Sequence, residues 1–291
     1  MPEVHTRKDA TVTVDVVWVD EHREREVRRR AEDGGAWTVG PVSAPDDVLR
    51  VERIAKRFGE VVALRDVNLH LRRGEALGLV GDNASGKSTL IKIMSGFHRP
   101  DAGRVVVHAA PVALKSVDHA RSLGIDCVYQ DLALVDQLSI WQNVFLRRET
   151  VHRPLPFLAR RRMRAWARRA LDDMGVRIGS VDSPVGSLSG GQRQAVAIAR
   201  SVRSQAQILL LDEPIAAMGV KEGMAILEVI ARLRARMSVS IILVAHNYTH
   251  VLELCDRVNL LEDGRVVLDA PVSQTSIDEL TERMIERVRR R

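Results

Sequence analysis

From Val48 onward, short apolar runs alternate with longer stretches of helical spacing. Val62–Leu71 is strand-like and closes at Arg73-Gly74-Glu75. Ala76–Val80 is continuously apolar, as expected of a strand covered on both faces. A glycine-rich turn and the helix-like stretch Ser88–Ser95 follow, and strand, glycine turn, helix is how a nucleotide-binding α/β unit opens. Ala165–Met174 and Gln192–Val202 carry alanine and leucine at helical spacing. Ile208–Leu211 and Ser240–Val244 are again short apolar runs ending in polar residues, with the helix-forming stretch Met224–Arg236 between them. The alternation predicts a mainly parallel sheet with helices on its faces, present in one copy because no internal repeat is visible.

Residues 1–48 break this pattern. Thr11–Val19 alternates like a strand, Glu21–Asp33 is nearly all charged, and Gly34, Gly35, Gly40, Pro41 and Pro45 form a linker-like stretch. The segment reads as a weakly ordered appendage, residues 49–271 as the main domain, and residues 272–291 as a helical tail.

Composition narrows the classes. A chain of 291 residues with 45% hydrophobic residues is not globally disordered, and 3% aromatics leaves the core to Leu, Ile, Val and Ala. Cys127 and Cys255 are too few for a disulfide framework or a four-cysteine zinc site and read as buried thiols. No run approaches the ~18 apolar residues of a membrane span, and no signal peptide is visible. A cytoplasmic protein is expected, with any membrane role exercised through a partner. The net charge of +6 leaves nucleic acid or an anionic surface open. Arginines gather at Arg28–Arg30, Arg160–Arg162 and Arg289–Arg291, and nine fall within Arg147–Arg169 against one acid. Alone, these runs read as a solvated basic surface.

Three clusters carry chemistry. Gly81-Asp82-Asn83-Ala84-Ser85-Gly86-Lys87-Ser88 fits G-x-x-x-x-G-K-[ST] between a strand and a helix. Successive backbone N–H groups and a helix N-terminus would converge there on phosphate oxygens. Lys87 would neutralise the β- and γ-phosphates, and Ser88 would ligate Mg²⁺. The second cluster is Asp212-Glu213, directly after Ile208–Leu211, which a parallel sheet places beside the phosphate loop. Neighbouring residues on an extended chain point oppositely. Asp212 is therefore expected to hold Mg²⁺ and Glu213 to accept a proton from the attacking water. The third is Leu188-Ser189-Gly190-Gly191-Gln192, opening the helical run Arg193–Val202. It forms a second anion-binding helix end whose glycines allow close approach of another body. It is economically explained as capping the nucleotide held by a second subunit.

Gly81–Ser88, Gln130, Leu188–Gln192, Asp212-Glu213 and His246, in that order, resemble the ATP-binding cassette family of transport ATPases. The match covers roughly Val48 to Pro271. Within the family the chain is most similar to ATPase components of simple-sugar importers of the ribose, xylose and fructose type. Gly81-Asp82-Asn83, Val128–Leu134, Leu138–Ile140, Asn143–Leu146 and Ala216–Glu222 carry that narrower likeness. The resemblance implies a P-loop α/β core with a mainly parallel sheet, an antiparallel β subdomain and a helical signature subdomain at about 131–200. It implies that Phe58, in Lys56-Arg57-Phe58-Gly59, stacks on adenine; without it, Phe58 reads as core. Gln130 would contact Mg²⁺ and the water and couple them to the membrane partner through the following segment. His246 would contact the γ-phosphate and orient the water.

The resemblance further implies two copies joined head to tail, each ATP lying between Gly81–Thr89 of one chain and Ser189–Gln192 of the other. Integral membrane permease subunits and, indirectly, a periplasmic or lipid-anchored solute-binding protein are the implied partners. The implied location is the cytoplasmic face of the membrane. An importer for another solute is the alternative; a nucleic-acid-linked ATPase is disfavoured because no heptad arms separate Ser88 from Ser189. Four positions depart from the family pattern: Ala84 and Arg147 where glycine is usual, Ile215 where threonine is, and Gly219 where many members have aspartate.

Overall fold

The computed structural model describes residues 46–152, 157–216, 218–237 and 239–282. The readings made for residues 1–45, Ala217 and the tail from residue 283, including Arg289–Arg291, lie outside them. The described residues open with β1 (Asp47–Phe58) and β2 (Val61–Arg72), an antiparallel pair turning at Gly59, then cross to β3 (Ala76–Val80) in a second sheet. After α1 (Lys87–Met94) it returns to the first sheet as β4 (Ala102–Val107) and β5 (Ala110–Val112), giving the order β2-β1-β4-β5. Next come α2 (Val117–Ser122) and β6 (Ile125–Val128), and then a helical excursion. It contains α3 (Ile140–Phe145), the small hairpin β7 (Val151–His152) and β8 (Phe157–Leu158), α4 (Arg160–Asp173) and α5 (Gly190–Arg203). The chain finishes through β9 (Ile208–Asp212), α6 (Val220–Met237), β10 (Ser240–Val244), α7 (Tyr248–Leu254), β11 (Arg257–Glu262) and β12 (Arg265–Pro271). A short 3-10 turn and a helical stretch at 277–282 follow.

The second sheet has the order β12-β11-β3-β10-β9-β6 and is parallel except for β12 at its edge. Its strands alternate sides with period two. Leu209, Leu211, Ile241 and Leu243 face the helical excursion, while Ile208, Leu210, Ile242 and Val244 face α1 and the antiparallel sheet. Both faces are dry, which is why these strands are continuously apolar in sequence. Gly78 lets α7 lie directly on β3, since a Cβ there would stand 2.1 Å from Val251 Cγ1.

Ala76–Val80 and Ser240–Val244 form as expected from their apolar runs. Two helices begin earlier than periodicity suggested, α4 at Arg160 and α6 at Val220. Their first turns, Arg160-Arg161-Arg162 and Val220-Lys221-Glu222, are exposed apart from the half-buried Glu222 and carry no apolar stripe to read. Away from the site, the buried Arg257 donates to the buried Glu75 Oε1 at 2.8 Å and to both oxygens of the exposed Asp269 at 2.8 Å, an ion cluster joining β11, β12 and the start of β3. Cys127 and Cys255 are both buried free thiols.

Candidate functional site

β3 delivers the chain to a loop that only glycine can close at two points. Gly81 has φ +147, and a Cβ there would lie 2.2 Å from Leu261 O; Gly86 has φ +110, and its Cβ would meet Ala63 O at 2.6 Å. Between them Ala84 occupies the left-handed region at φ +64, so the alanine accepts the turn that glycine usually makes. Gly86 caps α1 without a side chain, leaving the first-turn N–H groups open to an outside acceptor. Lys87 folds back over the loop, donating to Gly81 O at 2.9 Å and Asp82 O at 2.8 Å. Burial lowers its pKa, and Glu213, Asp82 and Asp212 pull in the opposite direction.

Strand register assembles the rest. Leu211 of β9 pairs with Leu243 of β10 and with Val128 of β6, and Val244 lies beside both Asp212 and Leu79 of β3. Gly81, Gln130, Asp212, Glu213 and His246 therefore all emerge at the carboxyl edge of one sheet, where open α/β sheets place ligands. Asp212 is 6% exposed, and its Oδ1 has no hydrogen-bond partner. Burial and the neighbouring Glu213 raise its pKa, opposed by Lys92, Lys87 and a hydrogen bond from Ser88. Glu213 turns out of the strand at φ +53, donates its N–H to Val244 O at 3.1 Å, and presents Oε1 2.5 Å from His246 Nε2. An orphaned carboxylate oxygen beside a serine hydroxyl suits a hard divalent cation. No cluster of three or more His, Cys, Asp or Glu able to hold a metal exists among the described residues. The donor set thus fits a cation completed by water and phosphate oxygens.

Glu213 and His246 line a cavity of 350 Å³ together with Met218, Gly219 and His250. His250 Nδ1 has no partner. Nothing in the sequence singled this residue out, because His246 precedes the Asn247 cap of α7 and shares no helix face with His250. Gln130 is exposed two residues beyond β6.

Phe58 belongs to the other sheet. As the last residue of β1 it is 44% exposed, which corrects the core reading, because the strand outruns the core before the Gly59 turn. Its ring meets His98 edge-on at 5.3 Å, with Lys56 Nζ 5.4 Å from its centroid; neither neighbour was singled out from sequence. Ser189 caps α5 in a capping box with Gln192, whose side-chain amide also donates to Arg177 O at 2.9 Å. Ser189 and Gly190 are exposed, and Gly190 and Gly191 lie against Glu222 of α6. The polar contacts of this helix end run within the helical region, away from the sheet edge that carries Gly81–Thr89.

The basic stretch is partly engaged. Arg164 pairs with Asp182 at 2.6 Å, and Arg168 donates to the carbonyls of Ile178 and Gly179, while Arg160, Arg161 and Arg162 are exposed.

Residues 64–216 match the family model described as ABC transporter. The chain is 41% identical over 238 residues to the xylose/arabinose import ATP-binding protein XylG of Sulfolobus acidocaldarius, covering 82% of this chain and 94% of that protein. It is 40% identical to the fructose import ATP-binding protein FrcA of Rhizobium meliloti, covering 76% of this chain and 87% of that one. Against the ribose import ATP-binding protein RbsA of Hahella chejuensis, at 36% identity, it spans 48% of the relative's length. Its structure resembles cbiO1 of Clostridium perfringens, part of the ABC transporter complex cbiONQ, with TM-score 0.69, 28% identity and coverage of 84% of this chain and 97% of that one. It also resembles the dimeric post-hydrolysis state of the ATP-binding cassette MJ0796 bound to ADP and Pi, with TM-score 0.65, 25% identity and coverage of 77% and 98%. A family match over more than half the chain and relatives at this identity lead to one conclusion: the chain belongs to the ABC transporter family.

Proposed function

We propose that this chain is an ATP-hydrolysing subunit that works as a head-to-tail pair and drives a membrane permease importing a simple sugar. The Glu213–His246 pair beside the unpartnered oxygen of Asp212, at the same sheet edge as the Gly81–Thr89 loop, carries the hydrolytic reading. The sugar reading is supported by relatives named for xylose/arabinose and fructose import at 41% and 40% identity.

In this reading the loop N–H groups and the open first turn of α1 bind the β- and γ-phosphates, with Lys87 already held at the mouth by two carbonyls. Phe58, exposed and edge-on to His98, offers its ring to adenine. Glu213 takes the proton of the attacking water, and His246, 2.5 Å away, holds that carboxylate and the γ-phosphate in line. Ser88, Asp212 and Gln130 would hold Mg²⁺, which when bound offsets charge on the phosphates. Ser189–Gln192 of the second copy closes the site, so loss of the γ-phosphate loosens the pair.

The permease converts that opening and closing into transport, served by a solute-binding protein outside. The chain itself sits peripherally on the cytoplasmic face of the membrane; no described helix is long and apolar enough to cross one. The test is ATPase activity and sugar uptake with the permease reconstituted in proteoliposomes. Hydrolysis by a strict monomer, insensitive to protein concentration, would overturn the paired site.

A further inference from the structure

Arg200 lies in the last turns of α5, about 16 Å along the axis from the Ser189 cap at 1.5 Å per residue. Its guanidinium donates to Leu132 O at 2.7 Å and to Ala133 O at 2.9 Å. These carbonyls belong to the turn that begins directly after Gln130. No carboxylate pairs with Arg200 among the described residues, and burial lowers its pKa, with Asp126 acting in the opposite direction. The two carbonyls therefore supply the hydrogen bonds that water would otherwise give this cation.

The turn is shaped to present them. Ala133 is left-handed at φ +47, and its N–H is taken by Asp131 Oδ1 at 3.0 Å. Further along, Arg193 of α5 reaches Asp136 Oδ1 at 2.6 Å. The fully buried Asn143 of α3 accepts from Val135 N at 2.8 Å and donates to Val135 O at 3.0 Å. Residues 131–136 are thus fastened to α5 and α3, while Gln130 stays beside the end of β6. A displacement of α5 is passed to the Leu132-Ala133 turn, two residues beyond Gln130, because a two-point guanidinium clamp resists both sliding and rotation.

We propose that Arg200 is a positioning residue for hydrolysis: it makes α5 a lever whose Ser189 end faces the second copy and whose far end sets Gln130. The inference rests on the hydrolytic reading and adds the part that carries closure of the pair to the water-facing glutamine.

The test uses the full chain with Arg200→Met, Arg200→Lys and Gln130→Ala, alone and combined. Arg200→Met should lower kcat about tenfold while KM for ATP stays within about twofold, and Arg200→Lys should recover most of the loss. In the Gln130→Ala background, Arg200→Met should cost less than about twofold, because the two residues act in series. Hydrogen exchange at 131–136 should rise in Arg200→Met, with or without ATPase activity. Asp131→Ala, which loosens the same turn without touching α5, should act in the same direction if Arg200→Met folds poorly. An undiminished Arg200→Met effect in the Gln130→Ala background, or unchanged exchange at 131–136, overturns the proposal. Absence of hydrolysis in the wild type removes the functional reading instead, and the exchange measurement still decides the clamp.

Discussion

His246 Nε2 lies 2.5 Å from Glu213 Oε1, so the end of β10 and the turn after β9 meet through a carboxylate and an imidazole. A base held by a second side chain is the arrangement that activates water without spending free energy on reorientation. Glu213→Gln should lower kcat by a factor on the order of 10²–10⁴ and leave ATP binding intact. His246→Ala should lower it in the same direction. Single-turnover hydrolysis and equilibrium nucleotide binding separate the two effects; near-normal turnover in Glu213→Gln would remove the assigned base.

Asp212 bears on stability. Its folded pKa is raised, so the folded chain keeps the proton to higher pH than the unfolded chain does. By linkage, stability then falls as pH climbs from 3.8 through the raised folded value. Nucleotide-free Asp212→Asn should therefore melt higher than wild type at pH 7, with the gap closing toward pH 4. Thermal unfolding across that range measures it. A lower melting temperature for Asp212→Asn at pH 7 would contradict the sign.

The loop glycines and Ala84 should respond oppositely. Gly86→Ala puts a Cβ 2.6 Å from Ala63 O at φ +110, and should cost more than about 1 kcal/mol while blocking nucleotide binding. Ala84→Gly removes a left-handed alanine and should be neutral or stabilising by up to about 1 kcal/mol. Chemical denaturation of both variants provides the comparison, and a clear loss in Ala84→Gly would show that the alanine is favoured there.

Gly190 offers a test of the proposed paired site. A Cβ at this position meets only Glu222 Oε2 at 3.7 Å, an ordinary contact, so Gly190→Leu should cost the fold less than about 1 kcal/mol. A bulky side chain should nonetheless keep another subunit off the helix end. The expected result is normal ATP binding by the single chain with loss of concentration-dependent hydrolysis. Full activity in Gly190→Leu would mean that this helix end does not close a neighbour's pocket.

The sequence by itself determined whatever depends on contiguous residues. The buried strands Ala76–Val80 and Ser240–Val244 were legible because both faces of the sheet are dry, so no polar residue could interrupt them. The Gly81–Ser88 turn, the strand end at Asp212-Glu213 and the Ser189 cap were legible as local structure because each is a contiguous run whose backbone geometry follows from its own residues. Only the tertiary structure decided which of these meet. Parallel pairing of β3, β10, β9 and β6 brings Gly81, His246, Glu213 and Gln130 to one edge, and leaves Ser189–Gln192 on the end of a separate helix. The exposure of Phe58 was decided by where β1 outruns the core, and the Arg200 clamp on Leu132 and Ala133 by contacts across 68 and 67 positions. Such contacts depend on strand order and on where a helix lies, and no local spacing of side chains encodes either one.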